Sequence, residues 1–418
     1  VSNSKSAIVV GSGVIGAFTA YFLLEKGWAV TLIDKERFGR GSSQSNCGLI
    51  VPNHVLPLNS PAALIQAIPW MLKKDAPLYI KPQFNPGLLK WFYRFGTYCT
   101  PESIRKSANA RHALLQSSFR LYPLIIEKEN LQCDWEIKGS LHVFKSKRKW
   151  ADFFRTDALL RTFGIKATPL DPTQLLDREP ALKAGVAGGW FYQKTAQLRP
   201  EKLMHELHRL LSAKGARILE ESEVTGFHAR DDVASVFTHD REISGDRVVL
   251  ATGAWTPVFE KSLACCIPIQ PGKGYSLTMD RFEKAPELPC FFEEKRIVAT
   301  PWQEEYRVGG TMEFSGYDPS LNQRRLSALQ RRAFEYCRQA QPPHVRDTWC
   351  GFRPMTVDGL PIIGRSRRFK NVFIAAGHNM VGLSMGPGTG KLVAELLNND
   401  RPHVDPHPYR AGRFGDCA

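Results

Sequence analysis

The chain has 418 residues, 43% hydrophobic and 23% charged, which excludes disordered, collagen-like and small disulfide-stapled classes. Lys and Arg number 56 against 41 Asp and Glu, a formal charge of +15. That excess favours acidic partners, whether nucleic acid, an anionic membrane surface or an anionic substrate, and is silent on fold. At ~150 residues per domain the length suits two or three domains. No apolar run reaches the ~18 residues needed to span a bilayer. The nine cysteines are scattered without a C-x-x-C pair, and residues 1–6 carry no signal-type apolar core. A reduced, cytoplasmic setting is the expectation.

In chain order, residues 7–10 form a continuous apolar run, as a parallel strand buried on both faces requires. Glycines follow, then a helix over 14–26 with Val14, Phe18 and Phe22 on one stripe and Gly27 as its stop. Residues 29–33 read as a second buried strand with Asp34 at its end, completing a βαβ unit. The stretch 44–101 is rich in proline and aromatic residues, with a helix expected near 60–73. Further helices are expected at 104–128, 173–179, 200–214 and 387–398, and strands within 134–145 and at 247–251 and 372–376. Residues 275–279 and 306–313 alternate like antiparallel strands. Strands suited to the opening sheet recur near 250 and 375, so the domains are expected to interleave.

Gly11-Ser12-Gly13-Val14-Ile15-Gly16 is a dinucleotide fingerprint in its required place between strand and helix. Gly11 permits the tight turn, Gly13 lets the backbone approach a pyrophosphate, and Gly16 lets helix and strand pack closely. Asp34, 23 residues beyond Gly11, can accept both ribose hydroxyls, which favours FAD or NAD over NADP. A second small polar cluster, Ser42-Ser43-Gln44-Ser45-Asn46-Cys47-Gly48, and a late strand ending in Ala251-Thr252-Gly253 favour FAD. Lys35 and Val224 are counted with the cofactor contacts.

The stretch 351–364 is the most informative. Asp358-Gly359 signals a hairpin turn. Arg353 sits in a strand among apolar residues, where a bidentate carboxylate is its best partner, supplied either by the protein or by a ligand. Residues 375–390 run from a strand through a glycine-rich loop, Gly377-His378, into the last helix, whose start at Gly382, Leu383 and Ser384 could face a reduced, anionic flavin. The spacing is not that of a Walker motif. His205-Glu206-Leu207-His208 has one residue too few for a zinc helix, and no metal is expected.

With these residues on the page, the sequence resembles the D-amino-acid oxidase superfamily of FAD enzymes, nearest its bacterial D-amino-acid dehydrogenase branch. The likeness spans residues 6–400 and is carried by the fingerprint, Ala67-Ile68-Pro69-Trp70-Met71 with Ala76-Pro77-Leu78, Lys273-Gly274-Tyr275-Ser276, Arg307-Val308-Gly309-Gly310-Thr311-Met312-Glu313, and 351–364. It implies an α/β fold: a Rossmann-like FAD domain (1–52, 170–258 and 346–400) interleaved with an α+β substrate domain on a mixed, largely antiparallel sheet (53–169 and 259–345), and a tail at 401–418. It implies oxidation of a D-amino acid or proline-like imino acid by hydride transfer from Cα to flavin N5. Arg353 would bind the substrate carboxylate, with Tyr275 and His54 as further catalytic candidates. Electrons would pass to a quinone or other acceptor. Rival readings are an oxygen-using glycine, sarcosine or D-amino-acid oxidase, or a tRNA-modifying flavin enzyme. The basic clusters 145–149 and 365–368 lack aromatic platforms, so nucleic acid is disfavoured. Relatives often carry alanine at Cys47. Those with covalent flavin carry cysteine where Gly351 stands, so non-covalent FAD is expected. The charge and the apolar stretch 62–91, with Trp70, Leu72, Leu78, Tyr79, Leu88 and Trp91, suggest peripheral contact with the inner membrane face.

Overall fold

The computed structural model describes residues 5–59, 76–82, 84–230, 233–339 and 341–415; the helix expected at 60–73, including Trp70 and Leu72, lies outside them. One six-stranded sheet runs in the order Arg217–Leu219, Ala29–Ile33, Ser6–Val10, Arg247–Leu250, Val372–Ala376 and Ile362–Arg365. The first five are parallel and the last is antiparallel. Its central strands are buried along their length, which explains their unbroken apolar runs.

Helix Val14–Glu25 packs face to face with the last helix, Gly382–Asn398. Contact is close because Gly390 has no side chain: a Cβ there would lie 2.5 Å from the Phe18 carbonyl carbon. The last helix begins five residues before the expected 387, with Pro387 inside it. Pro387 has no N–H for the Leu383 carbonyl, and the Tyr122 hydroxyl of the long helix Pro101–Lys128 supplies that donor at 2.6 Å. A three-stranded meander, Gly226–Arg230, Val233–Phe237 and Glu242–Gly245, completes this side.

The second large sheet has nine strands. Val345–Thr356, Ile269–Asp280, Glu305–Phe314, Ile297–Pro301, Cys290–Phe292, Ser140–Phe144, Gly188–Tyr192 and Thr168–Leu170 follow in that order, and Leu78–Ile80 pairs with Glu305–Phe314. Two expected boundaries therefore cut through it. Gly188–Tyr192 pairs with Ser140–Phe144, and Val345–Thr356 pairs with Ile269–Asp280, although 170 and 346 were expected to open segments of the other domain. Asp358-Gly359 makes a turn but no hairpin, because the strands on either side of it belong to different sheets. The expected tail is packed. Tyr409 is buried with its hydroxyl donating to Ala110 O at 2.6 Å, and Arg413 forms an ion pair with Asp358 at 2.7 Å.

Candidate functional site

A cavity of about 1010 Å³ runs between the two sheets, at the upper end of the 300–1,000 Å³ usual for small-molecule clefts. At one end it meets the fingerprint. Gly11 has φ +104°, and a Cβ there would lie 2.5 Å from the Ala251 carbonyl oxygen. Helix Val14–Glu25 starts at Gly13 without a side-chain cap of its own; instead the Val14 N–H donates to Ser43 Oγ at 2.9 Å. Asp34 is oriented by N–H and O–H donors from Ser12 at 2.6 and 2.8 Å and by the Glu36 N–H at 3.0 Å. Its carboxylate keeps lone pairs for further donors. Lys35 Nζ lies 4.2 Å from the centre of the Trp255 ring, and Val224, Ala251, Thr252 and Gly253 share this end.

A second helix start opens on the same cavity. Gly382–Asn398 has Val381 as N-cap and no side-chain cap, and Gly382 and Leu383 line the wall. Two helix N-termini with positive dipole, one beside a ribose-type carboxylate, fit the pyrophosphate and the carbonyl edge of a flavin dinucleotide. On this arrangement Asp34→Ala weakens FAD by ~1–3 kcal/mol, the cost of poorly paired ribose hydroxyls. Fluorescence titration of the apoprotein measures it, and unchanged affinity would remove Asp34 from the site.

Residues 42–48 are pinned across the cavity by backbone contacts. Ser42 Oγ donates to Phe352 O at 2.6 Å, Ser276 Oγ to Ser45 O at 2.8 Å, Arg307 Nη1 to Asn46 O at 3.0 Å and Thr300 Oγ1 to Cys47 O at 2.7 Å. The Asn46 amide ties the loop to itself through the Ser43 carbonyl and the Gly48 N–H. Burial pushes the Cys47 thiol up to about 11 against the opposing charges of Arg307 and Arg353. It stays a neutral thiol, unsuited to nucleophilic attack.

Arg353 lines the same cavity. Its guanidinium lies directly over Gly274, where any Cβ would collide with it. Nη1 donates to Thr311 O at 2.7 Å. Thr311 has φ +65°, a strained setting for a β-branched residue. It occupies a bulge in which Gly274 alone faces Thr311 and Met312, and that kink turns its carbonyl onto the arginine. Among the described residues no carboxylate lies within ion-pair distance of Arg353. Glu313 is engaged elsewhere, at 2.9 Å from Arg325 Nε and accepting from the Tyr275 hydroxyl at 3.1 Å. Burial lowers the Arg353 pKa. A half-buried cation without a counter-ion among the described residues is costly, and its place on the wall gives an entering anion a ready partner.

Of the residues singled out from sequence, Gly11, Gly13, Val14, Ile15, Asp34, Lys35, Ser42, Ser43, Asn46, Cys47, Gly48, Val224, Ala251, Thr252, Gly253, His378, Gly382, Leu383, Arg353, Tyr275 and His54 all line this one cavity. Gly16, Gly377 and Ser384 do not. Gly16 packs the helix onto Gly11, Gly377 takes φ +80° against Thr356, and Ser384 Oγ clamps Leu49 O and the Val51 N–H, each at 3.1 Å. Tyr275 gives its hydroxyl to Glu313, and His378 Nε2 is bound to Thr389 Oγ1 at 3.0 Å. Phe291, His142, Glu293, Tyr192 and Trp349 also line the wall, and no sequence pattern marked them.

The family described as "DAO: FAD dependent oxidoreductase" matches residues 6–396. The chain is similar to "D-amino acid dehydrogenase 1" of Mesorhizobium japonicum, at 28% identity over 97% of this chain and 99% of that one. It is similar also to the D-amino acid dehydrogenase of Xanthobacter autotrophicus, at 29% over 98% and 99%. Among solved structures, glycine oxidase from Geobacillus kaustophilus superposes with a TM-score of 0.80 at 21% identity, covering 98% of this chain and 99% of that one. L-proline dehydrogenase from P. horikoshii gives 0.75 at 20%, covering 99% and 98%. The fingerprint, the cavity between the sheets and these matches agree: the chain belongs to the DAO family of FAD-dependent oxidoreductases.

Proposed function

We propose that the protein oxidises the Cα–N bond of a D-amino acid or proline-like imino acid and passes the electrons to a quinone. The observation that carries the reading is Arg353, a half-buried cation in the cavity wall with no carboxylate among the described residues to pair with. A planar guanidinium held by Thr311 O suits a two-bond grip on a substrate carboxylate. Relatives of nearly equal length, named D-amino acid dehydrogenases, support the D-amino acid class.

FAD, when bound, supplies the two-electron acceptor. The chain's own part is placement. Arg353 holds the carboxylate and so directs Cα–H inward, a proximity effect. The largely apolar wall disfavours the ammonium form and keeps the amine neutral. Loss of Cα–H and one N–H leaves an imine, which water hydrolyses to a 2-oxo acid and ammonia, or which stays cyclic for a proline-like substrate.

The acceptor reading is supported by the charge of +15 and by an apolar patch on helix Pro86–Thr97. Leu88 and Trp91 of the stretch expected at a membrane are buried, and Tyr79 lies beneath Arg325. The exposed apolar groups are Phe84, Leu89 and Tyr93, at 90%, 62% and 76% exposure. Basic residues near an anionic leaflet add ~1 kcal/mol each. No helix among the described residues is long and apolar enough to cross a membrane.

Anaerobic mixing with D- and L-amino acids, glycine and prolines tests the reading. The purified protein is expected to be yellow, to release FAD on denaturation, and to bleach with D-amino or imino acids. Reoxidation by a quinone analogue should outpace reoxidation by oxygen. A flavin that no amino acid bleaches would overturn the proposal, and rapid peroxide formation without quinone reduction would make the protein an oxidase.

A further inference from the structure

One recess of the cavity wall has no part in the chemistry above. His54 is fixed there through its backbone. Buried Arg111 donates Nη2 to His54 O at 2.8 Å, Nε to Val55 O at 2.9 Å and Nη1 to Gly359 O at 2.9 Å. The ring stands edge-on to Phe291 with centroids 5.0 Å apart, and 6.0 Å from His142. Among the described residues neither of its ring nitrogens has a hydrogen-bond partner, and neither is sealed from the cavity. Burial, then the neighbouring His142, lowers its pKa to about 3. The ring is thus neutral, with one donor and one acceptor to offer.

The groups behind His54 are polar too. His142 Nδ1 lies 2.7 Å from Glu293 Oε1. Burial works to raise the Glu293 carboxyl, but the His142 hydrogen bond and the charges of His142 and Arg296 outweigh it and hold it at about 2. A carboxylate only accepts, so the hydrogen bond between them is donated by the His142 Nδ1–H, and the ring's other polar atom is Nε2. That atom and the Tyr192 hydroxyl are buried without hydrogen-bond partners, their rings 4.8 Å apart. Arg111 and Arg296 flank the recess, and the two carboxylates near it are already engaged, Glu293 by His142 and Arg296 and Asp157 by Arg161, which disfavours a cationic side chain.

We propose that this recess recognises a neutral, hydroxyl-bearing side chain of the amino-acid substrate, with the His54 imidazole as its hydrogen-bonding partner. The inference rests on the amino-acid reading above and narrows it. An aliphatic side chain entering here would leave the imidazole donor and acceptor unpaired, whereas a hydroxyl supplies both an acceptor and a donor. Sites built to bind a hydroxyl reject the analogue lacking it far more strongly than apolar pockets sort methylenes.

The test compares matched pairs on the holoenzyme: D-serine with D-alanine, D-homoserine with D-2-aminobutyrate, and 4-hydroxy-D-proline with D-proline. Wild type is expected to favour one hydroxylated member by at least ~10-fold in kcat/KM. His54→Phe keeps the ring against Phe291 and should bring that ratio within ~3-fold of unity; Tyr192→Phe, an isosteric change, should reduce it by a smaller factor. Spectral titration with the corresponding non-reacting carboxylic acids should show the same loss in Kd ratio, independent of turnover. If wild type bleaches with amino acids but treats every pair alike, or His54→Phe keeps the preference, the recess does not read hydroxyls. A wild type that no amino acid bleaches would instead overturn the amino-acid reading.

Discussion

Arg353→Lys is expected to keep FAD in place while kcat/KM for the best amino acid falls at least ~10-fold. A charge-assisted pair is worth ~1.5–3 kcal/mol, which converts to roughly 10- to 150-fold. Lysine retains the charge but not the planar fork. Nor can it reproduce the present seating, in which the guanidinium lies on bare Gly274 and is drawn to one side by Thr311 O at 2.7 Å. A flexible ammonium there would be held by one bond, leaving Cα–H poorly aimed, so kcat should fall along with the rise in KM. Removing the charge with Arg353→Met should cost more, at least ~100-fold, because both the fork and the charge that hold the carboxylate are lost. Steady-state kinetics with flavin content measured in parallel decides it. Wild-type kinetics in Arg353→Lys would make the arginine a structural residue.

The unpaired state of Arg353 was not legible in the sequence. A strand arginine could equally have met a protein carboxylate, and the nearest candidate, Glu313, was visible in its motif. Only the sheet shows that Glu313 turns to Arg325 and Tyr275. The local parts of the site were legible because their requirements are local: a glycine fingerprint between strand and helix, and a carboxylate one strand later. Three motifs read separately, 273–276, 307–313 and the first part of 351–364, prove to share one patch of sheet, since Ile269–Asp280 lies between Glu305–Phe314 and Val345–Thr356. Long-range pairing hid the rest. His142 and Glu293 meet across 151 residues, Gly188–Tyr192 pairs with Ser140–Phe144 from well upstream, and the bulge puts Thr311 rather than a glycine at positive φ. The partners of small hydroxyl residues were hidden for the same reason: Ser42 donates to Phe352 O and Ser384 to Leu49 O, each far off in sequence.

Gly16→Ala tests the cofactor end without touching any group that contacts a ligand. Gly16 is on the first turn of helix Val14–Glu25, facing the strand rather than the cavity. A Cβ built there overlaps the Gly11 carbonyl oxygen and lies 3.3 Å from Val9 Cγ1. The obstacle is backbone, so no rotamer change relieves it, and the helix start must move off the strand. Alanine gains at most ~1 kcal/mol in helix propensity, while overpacking costs ~1–3 kcal/mol and occasionally more. The loss is concentrated at the helix start, where Gly13 and Ile15 line the cavity, so cofactor retention should suffer more than folding. The variant is expected to leave the column colourless, with under ~10% of wild-type FAD, and to melt several degrees lower than the wild-type apoprotein. Gly96→Ala is the control. That glycine lies in helix Pro86–Thr97 with nothing within 4 Å of the added methyl, and the change should be neutral or slightly stabilising. If Gly16→Ala retained FAD as tightly as Gly96→Ala, close packing of helix on strand would not be what holds the pyrophosphate donors in place.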